Sequence, residues 1–194
     1  MMNVDNICEV LENGGLVISP TDTVYGIMGD ALNEEVIKKV YAAKKRPFSK
    51  PLILLMDSYE MIRQYTSQIN ELEDKIIKNF FPGLVTIILK KNENVSKLIT
   101  CGEDYVGIRI PNNKDLLAII KKLGRPVIST SANISDEDVI TSVAEIDDHL
   151  LKYMSYIVDG GVIKAESSTI IKVENNEIKI LRAGKTADKI KQIN

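Results

Sequence analysis

Residues 113–133 read NKDLLAIIKKLGRPVISTSAN, and this stretch decides the fold class. Asn113 is a helix N-cap, Leu116, Leu117, Ile119 and Ile120 form the apolar positions, and Gly124 is the C′ residue. Val127 to Thr130 is then a strand, and it runs without a spacer into the small, hydroxyl-rich loop Ser129-Thr130-Ser131-Ala132-Asn133. A helix followed at once by a strand predicts an α/β layering.

The same alternation extends in both directions. On the N-terminal side, Leu16 to Ser19 reads as a strand ended by Pro20. Asn33 caps a helix carrying Glu34 and Glu35 in its first turn and Val36, Val40 and Ala43 on its buried stripe, ending near Lys44. Leu52 to Met56 is a continuous apolar run, hence a buried strand. Helical patterns cover 58–65 and 67–80, and Pro82-Gly83 stops the second. Val85 to Leu89 and Tyr105 to Ile110 are strands. On the C-terminal side, Ser142-x-x-Glu145 predicts a capping box opening a helix to about Leu151. Strands follow at Tyr156–Asp159 and Thr169–Val173, and Asn175-Asn176 turns the chain into a hairpin with 177–181. A short helix is expected from Thr186 to Ile193. The class is α/β with a mixed sheet, and without a linker or repeat one domain over 1–194 is expected.

Composition bounds the chemistry. With 44% apolar and 27% charged residues the chain suits a folded globular domain. A net charge of −2 argues against coating nucleic acid by bulk charge, so any anion site must be a local cluster of Lys and Arg. Cys8 and Cys101 belong to no CxxC pattern and read as reduced thiols, with a disulfide left open. Two cysteines and one histidine are too few for a zinc site of the usual kind, and no haem or flavin is expected. His149 falls near a helix end, where its charge suits the dipole without a catalytic role. No basic-then-apolar N-terminal segment occurs, and the longest apolar run is too short to span a bilayer, so no membrane and a cytoplasmic location are expected.

Three segments exceed what a core requires. Pro20-Thr21-Asp22-Thr23-Val24-Tyr25-Gly26 follows a strand with hydroxyls and an aromatic wall. Lys44-Lys45-Arg46-Pro47-Phe48-Ser49-Lys50-Pro51 concentrates four cations between a helix and a strand. Helix-end cations are common, but here prolines stiffen the segment and the chain then enters the core, placing the cations at a strand mouth. Ser129 to Asn133 is the third, equally readable as turn chemistry or as a close approach to phosphate or ribose. Arg109, inside an apolar strand, needs a counter-anion or an opening to solvent. Ser167-Ser168-Thr169 and Arg182 are weaker signals. Gly184-Lys185-Thr186 is not a P-loop, because Lys179 stands where the first glycine is needed. No GxGxxG is present. The set predicts a site for an anionic, polyphosphate-bearing ligand.

Taken in order, these segments resemble the YrdC family, the threonylcarbamoyl-AMP synthases. The signatures stand here as Pro20–Gly26, 44–52, 82–86, Arg109–Pro111, Ser129–Asn133, Ser168-Thr169 and Leu181–Gly184, covering nearly the whole chain. The resemblance implies an open, twisted mixed sheet with flanking helices and a concave electropositive face. It implies a nucleotidyltransferase that turns L-threonine, bicarbonate and ATP, with Mg²⁺, into threonylcarbamoyl-AMP and pyrophosphate. That product is the donor for threonylcarbamoyladenosine beside the anticodon of tRNA. The resemblance further implies Lys44, Arg46, Ser131 and Asn133 as the catalytic core. Lys50, Ser129, Ser168 and Arg182 would also contact ATP, and Thr23, Thr86 and Arg109 would hold threonine, Arg109 facing a carboxylate. The metal ligands stay open. Protein partners that pass threonylcarbamoyl to tRNA are implied, and weak RNA binding is open. The chain resembles the short, single-domain form.

Departures from the signatures are Leu84 for a proline, Ser167 for a proline, and Asp136 where glycine is frequent. Asp136 would either repel nucleotide or help hold Mg²⁺. Two other readings stay in view: a carbamoyl-transferring module of the hydrogenase-maturation kind, and an RNA-binding module without ATP turnover.

Overall fold

Asn33, Ser58, Asn70 and Asn113 each turn a side-chain oxygen onto first-turn N–H groups of the helix that follows. These local contacts set four helix starts before any tertiary packing. The computed structural model describes residues 2–164 and 166–192. The main helices are α1 (Val4–Glu12), α2 (Glu34–Ala43), α3 (Tyr59–Tyr65), α4 (Glu71–Phe80) and α6 (Lys114–Leu123), with a single turn α5 (Lys97–Thr100) between the last two. Gly124, at φ +65°, ends α6 as expected.

The strands are β1 (Val17–Pro20), β2 (Tyr25–Asp30), β3 (Ile53–Leu55), β4 (Val85–Lys90), β5 (Tyr105–Arg109), β6 (Val127–Ser131), β7 (Tyr156–Ile157), β8 (Thr169–Glu174) and β9 (Glu177–Arg182). They form one mixed sheet in the order β7-β1-β2-β6-β3-β5-β4-β8-β9. Asn175 and Asn176 both take positive φ at the β8–β9 turn, the conformation a two-residue hairpin turn requires.

Register decides what each face carries. Gly26 pairs with Ser131, Ile53 with Ser129 and Gly107, Thr86 with Ile170, and Ile170 with Arg182. Side chains alternate along a strand and match across a pair, so Gly26, Ser129, Ser131, Ile53, Gly107, Arg109, Thr86, Ser168, Ile170 and Arg182 share one face. Glycine, hydroxyls and arginine leave that face recessed. The opposite face presents Ile27, Ile128, Leu54, Ile108, Ile87 and Ile171, each buried in the core.

Helix α2 packs on this apolar face across Gly29. A Cβ there would fall 2.5 Å from Val36 Cγ1 and 2.9 Å from Leu16 Cδ2, so only glycine admits the helix at this depth. That depth sets where Lys44 leaves α2.

The structure corrects several sequence expectations. Strand β2 was not expected, because all six of its residues are buried and show no alternation. The expectation of helix from Ser67 fails: Ser67 N–H bonds Lys90 O, Thr66 pairs with Lys91, and α4 begins after Asn70, which forms a capping box with Glu73. Ser142 does not open a helix. Its hydroxyl donates to the Glu145 carboxylate, only a 3₁₀ turn (Val143–Glu145) forms, and α7 (Asp148–Leu151) starts instead from the Asp147 cap. The last helix, α8, is Ala187–Ile190, and Ile193 lies outside the described residues. Both cysteines are free thiols.

Gly29→Ala should lower the unfolding free energy by about 1–3 kcal/mol through overpacking. The check is a fall in the urea midpoint at unchanged slope; an unchanged midpoint would mean α2 can shift to accept the methyl.

Candidate active site

The recessed face holds a cleft of about 260 Å³. Thr23, Arg46, Thr86, Arg109, Ser129, Ser131, Ser168 and Arg182 all line it, so most of the residues singled out in the sequence meet at one place. The cleft lies across the sheet face. Arg46 reaches it from the loop after α2, and the 21–24 turn and the segment before β8 form its walls.

Arg109 ends β5, and its guanidinium is almost fully buried. Its Nε donates to Gly83 O at 2.9 Å and its Nη1 to Thr23 Oγ1 at 3.3 Å. Its Nη2 lies 2.6 Å from Asp22 Oδ2, a close charge contact whose N–H direction is poorly aligned for a hydrogen bond. Asp22 Oδ2 also accepts the Asn112 N–H at 2.8 Å, while its Oδ1 is buried without a partner. The counter-anion that Arg109 requires is therefore Asp22. Burial pushes the Arg109 pKa down and Asp22 pushes it back up; an arginine stays a cation throughout.

The 21–24 turn is held by its own hydroxyls. Thr21 Oγ1 donates to Val24 O at 2.6 Å, so across the 2.8 Å contact between the two threonines Thr23 is the donor. Thr23 Oγ1 is then free to accept from Arg109.

At the other side of the cleft, Arg182 grips Ser168. Its Nε and Nη2 donate to Ser168 O at 3.2 and 3.0 Å, and Nη2 also reaches Ser168 Oγ at 2.9 Å. Ser168 Oγ lies 3.0 Å from Thr86 Oγ1. Desolvation and the nearby Arg109 charge both push Arg182 down, the signature of two guanidiniums facing one space. Arg46 spends Nε on Lys50 O and Nη2 on Pro51 O, at 2.9 and 2.8 Å. These bonds stiffen the loop and leave the other N–H groups of its five for a ligand.

Lys44, Asn133 and Lys50 do not line this cleft. Lys44 is buried behind it, with Nζ 2.5 Å from Ser131 O and Asn133 O and 3.2 Å from Asn133 Oδ1. Asn133 is buried too, accepting from Ser131 Oγ at 2.5 Å and donating to Glu137 O at 2.6 Å. Lys50 pairs at the rim with Asp136 at 2.5 Å. Asp136 holds φ +71°, a left-handed conformation that favours glycine. Its carboxyl is lowered by Lys50, so the departure noted in the sequence produces an ion pair within the chain. His149 contacts Ala42 O and Tyr153, away from the cleft.

Two residues escaped the sequence reading. Asp22 lay inside a quoted motif, but its partner Arg109 comes from a distant strand. Glu166 gave no signal at all, and it lines the cleft. No group of three or more His, Cys, Asp or Glu able to hold a metal ion occurs among the described residues. The cleft itself, with three arginines, offers no protein cage for Mg²⁺.

Burial, and to a lesser degree Arg46, push the Lys44 pKa down from its ordinary value. Its three near neighbours are all acceptors, however, and a neutral amine would point its lone pair at one of them. The geometry fits the charged form, whose three bonds to oxygen offset the desolvation. The Lys44 side chain should remain protonated at pH 8, checked by following its ¹³Cε shift with pH; a midpoint near 7 would show that desolvation wins.

A family model described as "Telomere recombination", for Sua5, YciO and YrdC proteins, matches residues 9–184. The chain is 44% identical over 174 residues to a "Putative threonylcarbamoyl-AMP synthase" of Methanocaldococcus jannaschii, covering 89% of this chain and 81% of that one. It is 30% identical to the "Threonylcarbamoyl-AMP synthase" of Pseudoalteromonas translucida, covering 87% and 91%. The crystal structure of Pyrococcus abyssi Sua5 complexed with L-threonine superposes with a TM-score of 0.92 at 32% identity, covering 98% of this chain. This chain spans only 56% of the Pyrococcus protein's length. Matched along nearly its whole length in both sequence and fold, the chain belongs to the Sua5/YciO/YrdC family.

Proposed function

We propose that the chain is a threonylcarbamoyl-AMP synthase, a nucleotidyltransferase that joins L-threonine, bicarbonate and ATP. The observation that carries this reading is a single cleft with two chemically distinct halves. Arg46, Ser129 and Ser131 offer cationic and neutral donors suited to phosphate. Thr23, Thr86 and Arg109 form a hydroxyl-lined end, and Ser168 joins the two through Thr86 and Arg182. The relatives named threonylcarbamoyl-AMP synthase, and the threonine held by the Pyrococcus protein, support the same reading.

The chemistry proceeds in two steps. Threonine, as its ammonium form, and bicarbonate give a carbamate with loss of water and a proton. A carbamate oxygen then attacks the α-phosphorus of ATP, and the bond to the β-phosphate oxygen breaks, releasing pyrophosphate. Charge develops on phosphate oxygens, so the enzyme's task is positioning and electrostatic stabilisation. No histidine base is needed. Arg46 and Arg182 meet the phosphates, with Ser129 and Ser131 beside them, and Arg109 and Thr23 hold the amino acid. Lys44 and Asn133 serve by shaping the 129–133 loop, and Lys50 reaches nucleotide only if Asp136 releases it. Mg²⁺ arrives with ATP as part of the substrate, held through its phosphates.

In this reading the product feeds tRNA modification through a partner protein in the cytoplasm, and bicarbonate is the carbon source. Any RNA contact is secondary. No helix among the described residues is long and apolar enough to cross a membrane.

Pyrophosphate release from ATP with Mg²⁺ should require both threonine and bicarbonate; release without threonine would overturn the reading. Arg46→Ala should lower kcat/KM by roughly 30- to 5,000-fold, the equivalent of about 2–5 kcal/mol at a phosphate-facing cation. Steady-state rates with folding verified by circular dichroism decide it, and a near-normal rate removes Arg46 from the site. Serine should be poorer than threonine by about 10–200-fold in kcat/KM if the pocket reads one methyl group.

A further inference from the structure

Thr23 is held by Arg109 through its side chain and by Glu166 through its main chain. Arg109 Nη1 lies 3.3 Å from Thr23 Oγ1, and the Glu166 backbone N–H donates to Thr23 O at 3.1 Å. Both flanking residues line the cleft. Among the described residues that line it, Glu166 is the only carboxylate, set against Arg46, Arg109 and Arg182. A site for polyphosphate alone gains nothing from an acid in its wall, because like charges repel. A zwitterionic amino acid needs both signs close together: a guanidinium for its carboxylate and an anion for its ammonium. Asp22 cannot supply the anion. It does not line the cleft, Arg109 and the Asn112 N–H occupy its Oδ2, and its unpartnered Oδ1 is sealed from solvent.

We propose that Glu166 binds the substrate ammonium, completing with Thr23 and Arg109 a subsite for a zwitterionic L-α-amino acid. This rests on the reading of threonine as substrate. Lys185 Nζ contacts the two Glu166 oxygens at 2.8 and 2.7 Å, and Lys164 Nζ lies 3.9 Å away. These lysine side chains are 59% and 88% exposed, so the pairing is screened by solvent and contributes little. A carboxylate has about four lone-pair positions, so acceptor positions remain while Lys185 stays bound. Lys185 also holds the Glu166 carboxyl below the usual range, keeping it an anion at neutral pH. The lysine contact prepares Glu166 for an ammonium without competing strongly for it.

The test measures affinities of the full chain by calorimetry for L-threonine and for (R)-3-hydroxybutanoate, which keeps the carboxylate and hydroxyl but lacks the amine. Glu166→Gln should weaken threonine binding roughly 10- to 100-fold, the worth of a hydrogen bond to a charged group, and leave the hydroxy acid unchanged. The KM for threonine should rise while the KM for ATP stays put. Glu166→Asp should recover part of the loss, and Lys185→Gln should keep threonine affinity or raise it. Equal threonine affinity in Glu166→Gln and wild type overturns the assignment. Equal losses in Glu166→Gln and Lys185→Gln, with ATP affected too, would make the pair a structural brace and overturn it as well. If wild type binds no threonine and releases pyrophosphate without it, the synthase reading falls and takes this proposal with it.

Discussion

A buried ammonium holds the site together. Lys44 ends α2, and its Nζ gathers Ser131 O, Asn133 O and Asn133 Oδ1, while its own carbonyl accepts the Ser135 N–H. One residue thus joins the end of a helix to the loop after β6 on both the main-chain and side-chain side. Burying a charge is costly unless it is fully bonded, and here all three ammonium protons find an oxygen. The loop carrying Ser129 and Ser131 is therefore placed by a contact behind the cleft, and Arg46, two residues after Lys44, is carried to its rim by the same anchor. Removing the ammonium would take a donor from Ser131 O and Asn133 O and leave Asn133 Oδ1 with the Ser131 hydroxyl, so the cation is needed for shape before it is needed for charge.

The Asp22–Arg109 pair is the second buried charge, and it works differently. Attraction inside a protein seldom exceeds the desolvation of two ions by much, so the pair is weak support for stability. Its orphaned Asp22 Oδ1 and misaligned Arg109 Nη2 agree with a contact that is not optimised for the fold. What the pair does is fix a guanidinium in the recess beside Thr23 while balancing its charge. Arg46 and Arg182 have no acid on them among the described residues. The cleft is thereby graded, with neutralised charge at the Arg109 end and guanidiniums free of ion pairs at Arg46 and Arg182. A grading of this kind orients a substrate as well as attracting it.

The sheet makes that grading possible. Ordinary α/β sheets bury both faces under helices and read as continuous apolar strands. Here one face keeps that character, in Ile27, Leu54, Ile108 and Ile128, and α2 packs onto it across Gly29. The other face gives up side-chain volume at Gly26 and Gly107 and takes on Ser129, Thr86 and Arg109. Thr86 and Ser129 are nearly inaccessible despite being polar. Thr86 is matched by Ser168, so part of this polarity is already satisfied within the protein.

Local chemistry was legible in the sequence. Asn33 and Asn113 cap helices because a short side-chain oxygen reaches the first-turn N–H groups whatever surrounds it. The Asn175-Asn176 turn follows from the tolerance of asparagine for positive φ, and the clusters at 20–26, 44–51 and 129–133 announced a polar site. Strand β2 was missed because burial on both faces erases alternation, and the Ser142 cap was overestimated because Glu145 captured the hydroxyls. What only tertiary structure decided was partnership: Asp22 with Arg109, Lys44 with the 131–133 carbonyls, Glu166 beside Thr23. Each strand carries its own alternation, but which strands align, and in which register, depends on pairing between distant segments. A charge becomes a ligand-facing group or a buried brace only when those neighbours arrive.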